Sequence, residues 1–261
     1  MRNLLFLIAA ALGALLPSCT PANRVVENPL IETANTRTLD IVKVELSDTA
    51  TVLHVDAYFR PHNCIRIDAG TYLLADGQKY MLQGSEGILP DSLFWMPDSG
   101  EASFVLKFGP LPRGTKSFDF IESDCDDCFK LYGVDLTGKK EYPRYPEGLP
   151  RALRKAPEDG PVPEPILAVG TTTVNVRLLG YRRGMVKEVA MYVNSLLNGQ
   201  EEHTAAIDPE SGTATLRFEQ YGTAMAYVSC GPVFGMCWIA PGETLDMYIA
   251  MEAGGRAIVQ R

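Results

Sequence analysis

Two cysteines separated by two residues, Cys125-Asp126-Asp127-Cys128, have the spacing of a thiol–disulfide site. A redox pair of this kind works through one thiolate of depressed pKa, which a helix N-terminus or a neighbouring cation supplies. Here Asp126 and Asp127 lie between the sulfurs, and Glu122 and Asp124 come just before them. Negative charge disfavours the thiolate, and the flanking runs read as strand, loop and strand. The first reading is therefore a local disulfide, or paired thiols, stiffening a loop. Weak thiol–disulfide exchange by Cys125 and Cys128 is a second reading. A calcium site built from the oxygens of Glu122, Asp124, Asp126 and Asp127 is a third, without the glycine and spacing of an EF-hand.

The remaining candidates are sparser. His62-Asn63-Cys64 places an imidazole and a thiol on one face of an extended segment, and with Cys125 and Cys128 they would make a tetrahedral zinc set. Nothing in the spacing brings the four together, so no metal ligand and no cofactor is assigned. Cys230 and Cys237 flank the turn-rich stretch 231–235 and are expected to face each other across a hairpin as a disulfide. The chain has three histidines, His54, His62 and His203. None sits in a local signature for a nucleophilic triad, and there is no Gly-rich phosphate loop. No catalytic residue is assigned.

Cys19 belongs to a different chemistry. Arg2 supplies a positive start, residues 4–16 are almost unbroken apolar side chains, and Leu16-Pro17-Ser18 precedes the cysteine. This is the layout of an export signal, and the apolar run is too short to span a bilayer. With cysteine after the cut, it resembles a bacterial lipoprotein signal. Residues 1–18 would then be removed and Cys19 would carry the acyl chains, two or more of which anchor stably. Residue 20 is threonine, not the aspartate that marks inner-membrane retention, and no acidic run follows it. The expected location is the cell envelope, at the periplasmic face of the outer membrane.

These residues need elements to hold them, and the elements read as strands. Leu53, Val55, Ala57 and Phe59 fall on one parity and His54, Asp56 and Tyr58 on the other, the signature of a half-buried strand. Asp76-Gly77 between two such runs is a hairpin signal. The expected fold is all-β: two antiparallel, immunoglobulin-like β-sandwich domains. The first covers residues 38–137 behind a tether at 19–37, and the second covers 166–261. Between them, 138–165 holds seven prolines and reads as a semi-rigid linker. Phe94-Trp95-Met96-Pro97 is read as a buried plug over one end of the first sandwich.

The net charge of −8 disfavours phosphate backbones, so nucleic acid is not an expected partner. Ordinary apolar content argues for a folded body.

Several runs carry a family resemblance. They are Val26-Glu27-Asn28-Pro29, Asp48-Thr49-Ala50-Thr51-Val52-Leu53, and Leu111-Pro112-Arg113-Gly114-Thr115-Lys116-Ser117-Phe118-Asp119-Phe120-Ile121-Glu122. Later come Val174-Asn175-Val176-Arg177-Leu178-Leu179-Gly180-Tyr181 and Ala240-Pro241-Gly242-Glu243-Thr244. Over residues 26–256 the chain resembles the β-rich N-terminal region of TlpA-like, thioredoxin-fold disulfide reductase lipoproteins. The resemblance implies a following thioredoxin domain with a Trp-Cys-x-x-Cys site, and no such motif stands in these 261 residues. The expectation is a lipid-anchored, non-catalytic binding or positioning module, partnered by the membrane and by a protein client or a thioredoxin domain. A surface polymer- or glycan-binding lipoprotein is a further reading. With two tryptophans and no evident aromatic pair, the sequence gives that reading no platform.

Overall fold

The computed structural model describes residues 24–154, 164–195, 197–252 and, for the backbone alone, 256–260. The signal segment 1–18 and Cys19 lie outside the described residues, as does 155–163 of the proline-rich stretch. Among the described residues the regular structure is strand, apart from one 3-10 turn.

The first body holds eleven strands: β1 (Arg24–Glu27), β2 (Ile31–Ala34), β3 (Leu39–Leu46), β4 (Thr51–Tyr58), β5 (Cys64–Ile65), β6 (Tyr72–Ala75), β7 (Gln78–Glu86), β8 (Phe94–Trp95), β9 (Glu101–Phe108), β10 (Ser117–Ile121) and β11 (Lys130–Asp135). Nine of them form one sheet in the order β1-β3-β4-β9-β7-β6-β10-β11-β2, and β5 and β8 make a separate ribbon. The sheet turns back on itself at β7. The first half of β7 pairs with β6 and its second half with β9, with a register shift between Leu82 and Gly84. Two layers result, and their inner faces share one core. Phe108 from one layer meets Phe120 from the other edge to face, with ring centroids 6.3 Å apart.

Local chemistry explains the connections. Asp76 and Gly77 both take positive φ, 49° and 76°, as a two-residue turn between Ala75 and Gln78 requires. The alternation in β4 is seen directly: Leu53, Val55 and Ala57 are buried, whereas Phe59, just past the strand end, is exposed. Two runs that carry the family resemblance meet here. Arg113 donates from Nε and NH2 to the two carboxylate oxygens of Asp48, at 2.9 and 2.6 Å. The Leu111 amide donates to the Thr51 hydroxyl at 3.1 Å. Arg113 holds the Asp48 carboxyl below its ordinary range.

Two expected boundaries need correction. The tether assigned to 19–37 is not all tether, because β1 pairs with β3 and β2 pairs with β11 inside the nine-stranded sheet. Likewise, the start of the stretch read as a linker packs on the first body. The Tyr142 hydroxyl donates to the Ile31 carbonyl at 2.7 Å, and Lys140 pairs with Glu32. A 3-10 turn at Arg151–Arg154 follows.

The second body comprises β12 (Leu167–Leu179), β13 (Glu188–Ser195), β14 (Gly199–Ala206), β15 (Thr213–Gly222), β16 (Ala224–Cys230), β17 (Val233–Ile239), β18 (Thr244–Ala250) and β19 (Arg256–Gln260). It is a sandwich of two four-stranded sheets, β15-β12-β18-β19 and β14-β13-β16-β17. All pairings are antiparallel except β12 with β18, which run parallel because the chain crosses the body between them. Val174, Val176, Leu245 and Met247 of one sheet pack against Met191, Val193, Ala226 and Val228 of the other.

The two bodies share a seam. Tyr72, Ile121 and Tyr132 come from the first body but are buried in the core cluster of the second. The Ala34 amide donates to the Met251 carbonyl at 3.4 Å, and Thr33 bridges Glu252. Buried Lys130 donates from Nζ to the Gly184 carbonyl at 2.8 Å. Arg182 pairs with Glu32 at 3.1 Å, and Lys187 pairs with Asp126.

One half-buried titratable side chain gives the second body a pH dependence. His203 stacks on Phe218 with centroids 4.1 Å apart, and its Nε2 is buried without a hydrogen-bond partner. Burial pulls its pKa below the ordinary 6.5, with Glu201 opposing weakly. The folded state thus binds this proton less readily than the unfolded chain. The associated stability is complete above pH 6.5 and is lost as pH falls through the window below it. Buried Glu122 and exposed Asp40, the latter beside Asp56, have raised pKa values, an effect of opposite sign confined to the carboxylate range. Denaturant midpoints between pH 7.5 and pH 5.5 should fall less steeply in His203→Phe than in the parent. Parallel slopes would remove His203 from the account.

Candidate functional site

The Cys125–Cys128 loop lies at the seam. It joins β10 to β11, the pair whose side chains Ile121 and Tyr132 enter the second core. The two cysteines form a disulfide, with Cα atoms 5.3 Å apart. Cys125 is exposed and Cys128 is buried. The base of the loop is tied twice over by Glu122, whose amide donates to the Phe129 carbonyl at 2.9 Å and whose carboxylate accepts the Phe129 amide at 2.8 Å. Burial raises the Glu122 pKa. Asn35 clamps the returning strand: its side-chain amide donates to the Cys128 carbonyl at 2.8 Å, and its side-chain oxygen accepts the Lys130 amide at 2.7 Å.

Asp124 and Asp126 of the loop are already engaged. Asp124 accepts the Tyr72 hydroxyl at 2.7 Å and lies 3.5 Å from Lys79. The Tyr72 hydroxyl, followed by the Lys79 charge, pulls its pKa down. Asp126 pairs with Lys187 of the second body and raises the lysine's pKa. A cleft of about 420 Å³ opens beside the loop, with Asp126, Phe129, Met185 and Lys187 in its walls. This arrangement braces the seam. For chemistry it is poor: a thiolate released at Cys125 would face Asp124, Asp126 and Asp127, with no helix end behind it.

Other sequence-predicted residues stand elsewhere. Cys230 and Cys237 are not joined, which corrects the expected disulfide. The turn between β16 and β17 uses only Gly231 and Pro232, so Cys230 faces Val233 and Cys237 faces Ala226. The cysteines are four rungs apart, about 14 Å along the hairpin, where a disulfide needs Cα atoms within about 7 Å. Gly231 permits the tight turn through its φ of 53°, and a Cβ there would meet Val186 at 2.6 Å. Burial pushes the Cys230 thiol up to about 12, which leaves it inert.

Cys64 pairs with Trp95 in the β5–β8 ribbon, and exposed His62 lies 3.4 Å from Asp98. The sulfurs of Cys125 and Cys128 are spent in their disulfide, so the four-residue zinc set does not form. Among the described residues no cluster of His, Cys, Asp and Glu has the geometry to hold a metal. The Phe94–Met96 plug is half right. Met96 is buried and Phe94 packs on the core, but Trp95 is 62 % exposed beside exposed Leu93.

Sequence reading missed a surface on the second body. β17 is apolar on both faces: Val233 and Ile239 point into the core, while Phe234 and Met236 are 63 % and 64 % exposed. Trp238 shares their outward parity. The neighbouring strands add Met225 and Tyr227 of β16 and Tyr192 of β13, with Tyr192, Tyr227 and Met236 on one rung. The rings of Tyr227 and Phe234 stack with centroids 5.8 Å apart. The signal in the sequence was the run Val233-Phe234-Gly235-Met236-Cys237-Trp238-Ile239, which has no polar side chain where a half-buried strand would alternate.

No protein-family model matches the chain, and no curated protein does. Among solved structures, the Bacillus anthracis TIE protein aligns over 93 % of this chain at 9 % identity, with a TM-score of 0.22. The chain spans 42 % of that protein's length, and a likeness this low carries no statement about fold or function.

Proposed function

We propose that this chain is a non-catalytic binding and positioning module, held in the cell envelope by lipid on Cys19 and facing the periplasm from the outer membrane. The observation that carries the reading is the shared seam: Tyr72, Ile121 and Tyr132 are buried in the neighbouring body's core, and Lys130, Arg182 and Lys187 reach across. Two sandwiches fixed in this way form a stiff spacer. Whatever docks on the second body is held at a set attitude to the anchored end. The resemblance to the β-rich region of TlpA-like reductase lipoproteins suggests a thioredoxin domain, or a client of one, as the partner. The runs behind that resemblance include Asp48 and Arg113, whose ion pair serves the fold and not a reaction.

Two readouts on the full chain test this. Replacing Cys19 with alanine should move the protein from the membrane fraction to the soluble fraction. Insulin reduction by the parent and by Cys125→Ser should both stay at the rate without protein. Turnover by the parent that Cys125→Ser abolishes would instead establish thiol–disulfide exchange at the acidic loop.

A further inference from the structure

We infer that the outward face of the β14-β13-β16-β17 sheet binds a neutral oligosaccharide or polysaccharide. This rests on reading the chain as a binding module and names the ligand class. A sandwich sheet facing water ordinarily carries polar side chains. This one carries Tyr192, Tyr227, Phe234 and Met236, and a contiguous exposed apolar face marks an interaction site.

Three observations point to sugar. First, the exposed apolar groups are largely aromatic, and Tyr227 and Phe234 stack side by side. Phe234 and Trp238 lie four residues apart on one strand, roughly 14 Å, so the strip is long enough for several linked sugar rings. Ring faces receive the C–H faces of pyranoses as they receive other rings. Second, polar groups edge the strip. A depression of about 390 Å³ lies between Tyr192, Gln200, Tyr227 and Phe234, and Glu202 stands opposite Tyr192 on the adjacent strand, where its carboxylate raises the phenol's pKa. Amide, phenol and carboxylate at the margin of an apolar floor match a ligand with apolar faces and a hydroxyl rim. Third, charge selects against the alternatives. The four strands contain Glu188, Glu201 and Glu202 and no lysine or arginine. An anionic polymer or an acidic membrane surface would find no cation here.

Affinity electrophoresis of the detergent-solubilised full chain tests the assignment. The gels would contain neutral polysaccharides: laminarin, hydroxyethyl cellulose, xylan, galactomannan or glycogen. At least one should retard the parent. Tyr227→Ala with Phe234→Ala should weaken that retardation by roughly tenfold or more in dissociation constant. Phe234→Tyr should retain it, and Trp95→Ala, on the other body, should leave it unchanged. Both replaced side chains lie on the outer face, and an unchanged melting curve would confirm that the double variant is folded. Absence of retardation in every gel would overturn the inference, as would retardation indifferent to the double variant. A dimer in sedimentation that the double variant dissolves, without retardation, would assign the face to a second copy of the chain instead. In each negative case the positioning role is still tested separately, by fractionation of Cys19→Ala, by insulin reduction and by calorimetry.

Discussion

Replacing Tyr132 with alanine should cost about 3–5 kcal/mol and split unfolding into two steps. Tyr132 sits on β11 of the first body, yet its ring is buried in the second body's cluster. Burial raises its hydroxyl pKa well above the ordinary tyrosine value, with Asp119 adding its charge and Tyr181 of the second body close by. Truncation leaves a cavity at the seam and removes one of the two tyrosine rings that the first body lends to the second core. The ion pairs of Arg182 and Lys187 remain, but exposed pairs contribute little, and the buried Lys130–Gly184 hydrogen bond is a single polar tie. With only Tyr72 and Ile121 left as apolar links, each sandwich is expected to melt at its own temperature. Tyr132→Phe keeps the ring and should keep the single transition. A Tyr132→Ala protein that melts in one step, within about 1 kcal/mol of the parent, would show that the seam is held by something else.

The second large effect lies inside the first body. Phe120→Ala should destabilise it by about 3–5 kcal/mol, because the side chain is fully buried and meets Phe108 edge to face between the two layers. The loss should go beyond stability. The β10 strand carries Phe120 inward and the adjacent Ile121 toward the second core, so loosening it disturbs the loop that Asp126 ties to Lys187. Phe120→Leu, which keeps much of the volume, should cost clearly less. Equal losses for Ala and Leu would mean that the ring pair, and not the cavity, sets the cost.

Much of the fold was legible in the sequence, for identifiable reasons. Alternation at 53–57 and the Asp76-Gly77 turn are local signals, and strands half-buried on one face write them plainly. The four-residue strands β1 and β2 were read as tether because so short a strand shows hardly two periods, and their place is decided by partners elsewhere in the chain. The Cys230–Cys237 pairing failed on register. Five residues looked like a loop, but Gly231 and Pro232 alone make the turn, which slides the second cysteine four rungs away. Trp95 was read as buried because a cluster of apolar residues in a turn-rich stretch does not reveal which side chain faces out. The seam was the least legible part. Nothing in the residues around Tyr72, Ile121 or Tyr132 says that the core they join belongs to another body.

Scanning calorimetry of the full chain at neutral pH tests the central claim, that the two sandwiches act as one stiff positioning body. A single transition whose calorimetric and van't Hoff enthalpies agree is the predicted result. Two resolved transitions in the unmodified protein would contradict it, since bodies that melt independently cannot hold a docked partner at a fixed attitude to the membrane.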